Sequence, residues 1–423
     1  MRIKESFELE HTDIFYQKML CWLRQYDIFC VMHSNKLATN QEVIVGVHAL
    51  HTIQANSYNQ ATLLSLQHTG DWLMGHVNYP TSSAQHQPSN ASENIGFTAI
   101  HFFVPQIVLI LNGDTVYLEC MGIPPLQVFK DIMHTATQAV APHNAIAITP
   151  IQSKQAYINA INTLKQHIQL GDCYEINYCT TFEANYVQLS PIHAFNKLNA
   201  ISPNPYAVLY KVNDDYAICA SPERFFKLQG NILTSQPIKG TILRDNLHSD
   251  NDAKLVAQLK TSPKENAENV MVVDLVRNDM SKVCIPNTVQ VTELSKVYSF
   301  THLHHLISTI QGVVKPGTAI ADIFAALYPM GSMTGAPKTK VMQLIQQYET
   351  HSRGIFSGTI GYINPQGNAD FNVVIRSIQY NAALQYLNYK VGSGITTYCH
   401  AATEYEECML KAKAIQEVLS TSL

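Results

Sequence analysis

Short return turns constrain this chain more than any other feature. The apolar runs 107–111 and 115–118 flank Asn112-Gly113-Asp114, and the runs 225–228 and 232–236 flank Gln229-Gly230-Asn231. So short a connection carries the chain back beside the strand it has just left, and both pairs read as hairpins. A parallel pair would need a crossover of roughly a dozen residues or more. Further β-branched or aromatic runs at 42–47, 98–104, 174–182, 206–212, 216–220, 358–363, 371–380 and 384–391 read as strands. Helical spacing interrupts them. Tyr157, Ile158, Ile161, Leu164 and Ile168 share one face, and Gly171-Asp172 ends that run. Ser262-Pro263-Lys264-Glu265 supplies a serine cap, a proline in the first turn and a glutamate at the third position. Other helices are expected from about 318 to before Pro329, beyond Lys338, and from Thr403, where Thr403 to Glu406 has capping-box spacing. Helices mixed with hairpins imply an α+β fold with mainly antiparallel sheets, not a doubly wound one.

The chain divides into a strand-rich N-terminal region, 1–150, and a second region, 151–423, joined near 142–150. Residues 81–92 are polar with nothing to bury and are expected to form a surface loop. Lys and Arg are dispersed and the net charge is −4, which argues against nucleic acid or an anionic membrane as a partner. No apolar run reaches the roughly 18 residues needed to cross a bilayer, and the N-terminus has no signal-peptide core. The nine cysteines stand singly, with no Cys-x-x-Cys pair. They are expected to be reduced thiols of a cytoplasmic protein, not a zinc site or a disulfide framework.

Several residues invite chemistry. Ser235-Gln236-Pro237-Ile238-Lys239-Gly240-Thr241 places one lysine where a strand end turns. Glu404 and Glu407 are three apart and lie on one helix face. If Glu268 converges with them, three carboxylates meet, which is unfavourable unless a cation neutralises them. Oxygen ligands without cysteine suit Mg²⁺. Gly392-Ser393-Gly394 would let backbone N–H groups approach an anion. Arg376 lies in an apolar run, so it either pairs with a buried acid or holds a ligand carboxylate in bidentate fashion.

Four motifs occur in order: Pro237-Ile238-Lys239-Gly240-Thr241; 267–279 (Ala-Glu-Asn-Val-Met-Val-Val-Asp-Leu-Val-Arg-Asn-Asp); 331–338; and Gly392-Ser393-Gly394 closing on Glu404 to Glu407. Together they resemble the chorismate-utilising enzymes: anthranilate synthase and aminodeoxychorismate synthase large subunits, isochorismate synthase and salicylate synthase. The resemblance covers about 150–420. It implies two antiparallel sheets packed as a sandwich, with helices outside, like anthranilate synthase component I. It implies Mg²⁺ held by Glu268 and Glu407 with Glu404 beside them. It implies chorismate bound near Gly240, Thr241, Thr334, Gly392 and Gly394, with Arg376 on the enolpyruvyl carboxylate. His305 matches the family's active-site histidine, with His304 next to it. Phe356 stands where several relatives have tyrosine.

The resemblance also bears on which member this is. Anthranilate synthases carry alanine where Lys239 stands, and aminodeoxychorismate synthases carry lysine. Water-adding members carry a lysine base at the position of Glu175, where amine-adding members often have glutamine. The expected reaction is therefore amination of chorismate at C4. Lys239 would attack C2, Glu223 would protonate the leaving hydroxyl, and ammonia would come from a separate glutaminase subunit. No Gly-x-Cys-x-Gly nucleophile elbow is present in this sequence. The alternatives are an anthranilate synthase large subunit, which would release pyruvate, and a non-catalytic carboxylate-binding relative.

Overall fold

The computed structural model describes residues 1–35, 37, 43–58, 60–68, 70–80, 95–137, 145–301 and 303–420. The expected loop at 81–92 and the start of the expected connection at 142–150 lie outside them. Every strand pairing among the described residues is antiparallel. Both hairpins form, with Asn112 opposite Thr115 and Gln229 opposite Ile232.

Two sheets share the long strand Ile100–Asn112. The first runs through Val43–Ala55, Ile28–His33, Tyr206–Val212, Asp215–Ser221, Ser377–Asn381 and Tyr386–Ile395 to Glu175–Ala184. The second runs through Leu73–Val77, Thr359–Ile363, Ala369–Asn372, Arg224–Gln229 and Ile232–Gln236 to Leu303–Val313. The period-two alternation of strand side chains sorts the core into layers. In Tyr206–Val212, Ala207 and Leu209 face one cluster, whereas Val208 and Tyr210 face another. That second cluster also takes Met74 and Ile360 from the other sheet, and Val374 from a segment that crosses between them, so it is the filling of a sandwich.

Helices cover both outer faces. Met19, Ile132, Ile161, Leu198, Leu344 and Ile415 pack on the first sheet. Leu63, Val272, Met280 and Phe324 pack on the second. The N-terminal third also contains the helices Thr12–Trp22, Gln60–Leu64 and Pro125–His134.

Two local readings need correction. The last helix spans Ala401–Ser420, so Thr403 lies inside it and is not its cap. The expected strand at 371–380 is broken: Ala369–Asn372 belongs to one sheet and Ser377–Asn381 to the other. Arg376 sits in the break with φ of 53°. Its neighbour does the same, since Asp215–Ser221 and Arg224–Gln229 lie in different sheets with Glu223 between them. The two crossing segments are tied together. The Val373 N–H donates to the Glu223 carbonyl at 3.0 Å, and the Ala220 N–H to the Arg376 carbonyl at 3.1 Å. A two-stranded ribbon thus passes from one sheet to the other, the usual way such corners are made.

Candidate active site

The corner carrying Glu223 and Arg376 opens onto a cavity of about 100 Å³. Opposite, the strand Ile238–Leu243 breaks register with Leu303–Val313 between Ile238 and Thr241. That irregularity, with Gly240 at φ of 86°, re-aims Lys239 into the cavity. The helix Pro263–Val283, capped by the Ser262 side chain as expected, adds Lys264, Glu265 and Glu268. The last helix adds Glu407 and Lys411, and the strand Tyr386–Ile395 adds Gly392 and Gly394.

Lys239 is 8% exposed and its ammonium contacts the Glu175 carboxylate, which is 1% exposed. Burial alone would lower the lysine pKa. Contact with Glu175, with Glu268 and Glu223 nearby, outweighs burial and holds the amine protonated well above the usual lysine range. Gly394 makes room for this pair: a Cβ there would stand 2.8 Å from Glu175 Oε1 and 3.0 Å from Lys239 Nζ. Glu223 is 4% exposed, and burial pushes its carboxyl up to about 7. Glu268 is likewise raised by burial to about 7.

Arg376 lines the cavity, its guanidinium has no hydrogen-bond or ion-pair partner among the described residues, and burial lowers its pKa to about 10. The second of the two readings of this arginine, a guanidinium available to a ligand carboxylate, therefore fits. His305 is buried, its Nδ1 is 2.9 Å from the Thr241 hydroxyl, and burial lowers its pKa to about 3, so it is neutral. His304 does not line the cavity and instead contacts Ser299 and Asp252, both at 2.8 Å.

Of the expected site residues, Glu223, Lys239, Gly240, Thr241, Glu268, His305, Phe356, Arg376, Gly392, Gly394 and Glu407 line the cavity. Thr334 does not. Its buried hydroxyl donates to the Met330 carbonyl at 3.0 Å, so it secures its own turn. Glu404 also lies behind the wall, 1% exposed, and reaches the site through Lys264 at 2.9 Å. Glu265, Lys264, Lys411 and Asn177 line the cavity without having been singled out from sequence. A signal existed for the lysines: Lys264 is four residues before Glu268 and Lys411 four after Glu407, the spacing of side-chain neighbours on a helix.

The fit to Mg²⁺ rests on the donors. Among the described residues, no three His, Cys, Asp or Glu side chains form a ready metal cage. Mg²⁺ rarely needs one, being held by one or two carboxylates with waters and substrate oxygens completing its shell. Glu268 Oε1 and Glu404 Oε2 are buried with no hydrogen-bond partner, an arrangement a hard cation would satisfy. Glu407, held 2.7 Å from Lys411, stands below the usual carboxylate range because that ammonium outweighs burial.

The profile of the chorismate binding enzyme family matches residues 19–417. The chain belongs to this family. It is 31% identical over 359 residues to an anthranilate synthase component I-like protein of Synechocystis, covering 83% of this chain and 73% of that protein. It is 34% identical over 269 residues to aminodeoxychorismate synthase component 1 of Klebsiella aerogenes, covering 64% of this chain and 59% of that one. It is 36% identical over 271 residues to a chloroplastic aminodeoxychorismate synthase of Arabidopsis thaliana, where it spans only 29% of the relative. Anthranilate synthase component I from Streptococcus pneumoniae shares the fold, with a TM-score of 0.75 at 23% identity over 98% of this chain and 92% of that one. So does the isochorismate synthase MenF of Escherichia coli, with a TM-score of 0.80 at 16% identity over 99% and 94%. The expected sandwich with outer helices is the fold of this chorismate-binding enzyme. Among its described residues, no helix is long and apolar enough to cross a membrane.

Proposed function

We propose that this chain aminates chorismate at C4, giving 4-amino-4-deoxychorismate with the enolpyruvyl group retained. The observation that carries this reading is Lys239, the one lysine projected by a strand irregularity into a cavity that also holds a buried acid, Glu223, and an unpartnered guanidinium, Arg376. Arg376 binds a carboxylate of the substrate. The Lys239 amine adds at C2, the two conjugated ring double bonds shift to C1=C6 and C4=C5, and the C4–O bond breaks as Glu223 delivers its proton, so that water leaves. Ammonia then adds at C4, both double bonds return to C1=C2 and C5=C6, and the C2–N bond to Lys239 breaks. Glu223, now a carboxylate, is available to take the excess proton. The covalent step divides one difficult displacement into two easier ones.

Mg²⁺, held through Glu268 and Glu407 with Glu404 alongside, would neutralise the carboxylate cluster and bind the ring carboxylate. A carboxyl raised to about 7 suits a general acid near neutrality. Lys239 reacts only as the neutral amine, so its contact with Glu175 restrains it in the resting protein. Ammonia is supplied by a separate glutaminase subunit, and the reaction belongs to 4-aminobenzoate formation in the cytoplasm.

The test is to incubate the chain with chorismate, Mg²⁺ and ammonium and to identify products by liquid chromatography and mass spectrometry. Aminodeoxychorismate without pyruvate is expected, with glutamine unable to replace ammonium. Anthranilate with pyruvate would move the assignment to the activity named for the relative in Saccharolobus solfataricus, an anthranilate synthase component 1 at 33% identity. Normal aminodeoxychorismate formation by Lys239→Ala would exclude the covalent route.

A further inference from the structure

Glu268 and Glu404 come from different helices yet share one ammonium. Lys264 Nζ lies 2.9 Å from Glu404 Oε1 and 3.9 Å from Glu268 Oε1. Both carboxylates are nearly excluded from solvent, at 7% and 1% exposure, and each keeps one buried oxygen without a donor. A single monovalent group therefore bridges two acids and engages only one of them closely. A divalent cation reaching these oxygens would repel that ammonium at short range. Lys264 has somewhere to go, because it stands in the first turn of its helix with its side chain 34% exposed. Lys411 is different: it is fixed twice, to Glu407 at 2.7 Å and to the Gly392 carbonyl at 3.0 Å.

We propose that Lys264 is a displaceable counter-ion at the metal position. It holds Glu268 and Glu404 together in the metal-free protein, and it would swing toward solvent when Mg²⁺ binds through Glu268 with Glu404 alongside. The cost of moving it is part of the measured Mg²⁺ affinity, so Lys264 sets how readily the site fills. This inference rests on the assignment of Mg²⁺ to Glu268 and Glu407 with Glu404 alongside.

The test needs no turnover. Mg²⁺ alone is titrated calorimetrically into the full-length chain as wild type, Lys264→Met and Lys264→Arg, and Mn²⁺ is counted in parallel by electron paramagnetic resonance. Lys264→Met, which keeps the stem and removes the charge, is expected to bind Mg²⁺ at least tenfold more tightly than wild type. Lys264→Arg, which keeps the charge, is expected to bind no more tightly. Equal or weaker binding by Lys264→Met overturns the proposal and leaves Lys264 as a fixed partner of Glu404. If Lys264→Met fails to fold, Lys264→Gln carries the same expectation and the same refutation. A wild type that binds neither Mg²⁺ nor Mn²⁺ refutes the metal assignment, and this inference with it.

Discussion

Replacing Glu175 by glutamine removes the charge in contact with Lys239 while leaving the shape of the site intact. Two unit charges about 4 Å apart at an effective dielectric constant of about 20 attract by about 4 kcal/mol, or about 3 pKa units for the lysine at about 1.4 kcal/mol per unit. Burial, the largest single influence on Lys239, would then act against the remaining, more distant glutamates. The folded pKa is expected to drop to the unfolded value of about 10.4 or below it. The sign of the stability change follows. In the wild type the raised pKa means that the pair's contribution is fully present below the unfolded pKa, so thermal stability is flat through Lys239 from pH 7 to 10. In Glu175→Gln the amine must be buried charged at lower pH. Stability is therefore reduced there and recovers as pH rises, at up to about 1.4 kcal/mol per pH unit between the folded and unfolded pKa values. Thermal unfolding at pH 7, 8, 9 and 10 measures this, and Glu175→Gln combined with Lys239→Met should abolish the slope. A Glu175→Gln chain as stable as wild type at pH 7 would refute the account of Lys239 as an amine restrained by its neighbour.

Other outcomes follow from the same geometry. Glu223→Gln should lower turnover by about 10²-fold or more, the usual contribution of a positioned acid. In wild type the acid form of Glu223 disappears as pH rises through about 7, so the pH profile should show a falling influence there that the variant lacks. Gly394→Ala should cost at least tenfold in turnover, because its Cβ would enter the space of Glu175 Oε1 and Lys239 Nζ. Its melting temperature should drop by no more than an overpacking penalty of about 1–3 kcal/mol implies, and full activity would contradict the placement. Between the sheets, the His76 and His101 Nδ1 atoms both contact the Tyr210 hydroxyl, at 3.2 and 2.8 Å, and burial lowers the two pKa values to about 3 and about 4. The unfolded chain then binds more protons below about pH 6.5, so stability should fall with acid by about 1.4 kcal/mol per pH unit for each histidine. Denaturant unfolding of His101→Asn from pH 6.5 to 4.5 should show a slope shallower than wild type by about 1.4 kcal/mol per pH unit.

Much of this fold is local chemistry and therefore legible in sequence. The Gly113 and Gly230 turns, the Ser262 cap and the apolar face of Lys154–Gln169 each follow from a few adjacent residues. The shared strand Ile100–Asn112 and the break at Arg376 are not local. They arise because neighbouring residues pair with different sheets, which no window of sequence records. The site divides in the same way. Motif residues such as Lys239 and Glu268 carry a pattern, whereas the contacts between Lys239 and Glu175, and between Lys264 and Glu404, join residues 64 and 140 positions apart. Thr334 shows the converse: it lies within a motif, but its hydroxyl serves a turn.

The ribbon that changes sheets also limits how this protein can move. Glu223 and Arg376 are rivets through both layers, so any sliding of one sheet over the other would displace the acid relative to the guanidinium. The sandwich is thus the rigid chassis of the site and cannot serve as its door. Substrate entry is therefore expected on the helical side, where Glu268, Glu407 and their lysines reside, with the inter-sheet filling around Tyr210 and Val374 as the fixed support of the acid and the guanidinium.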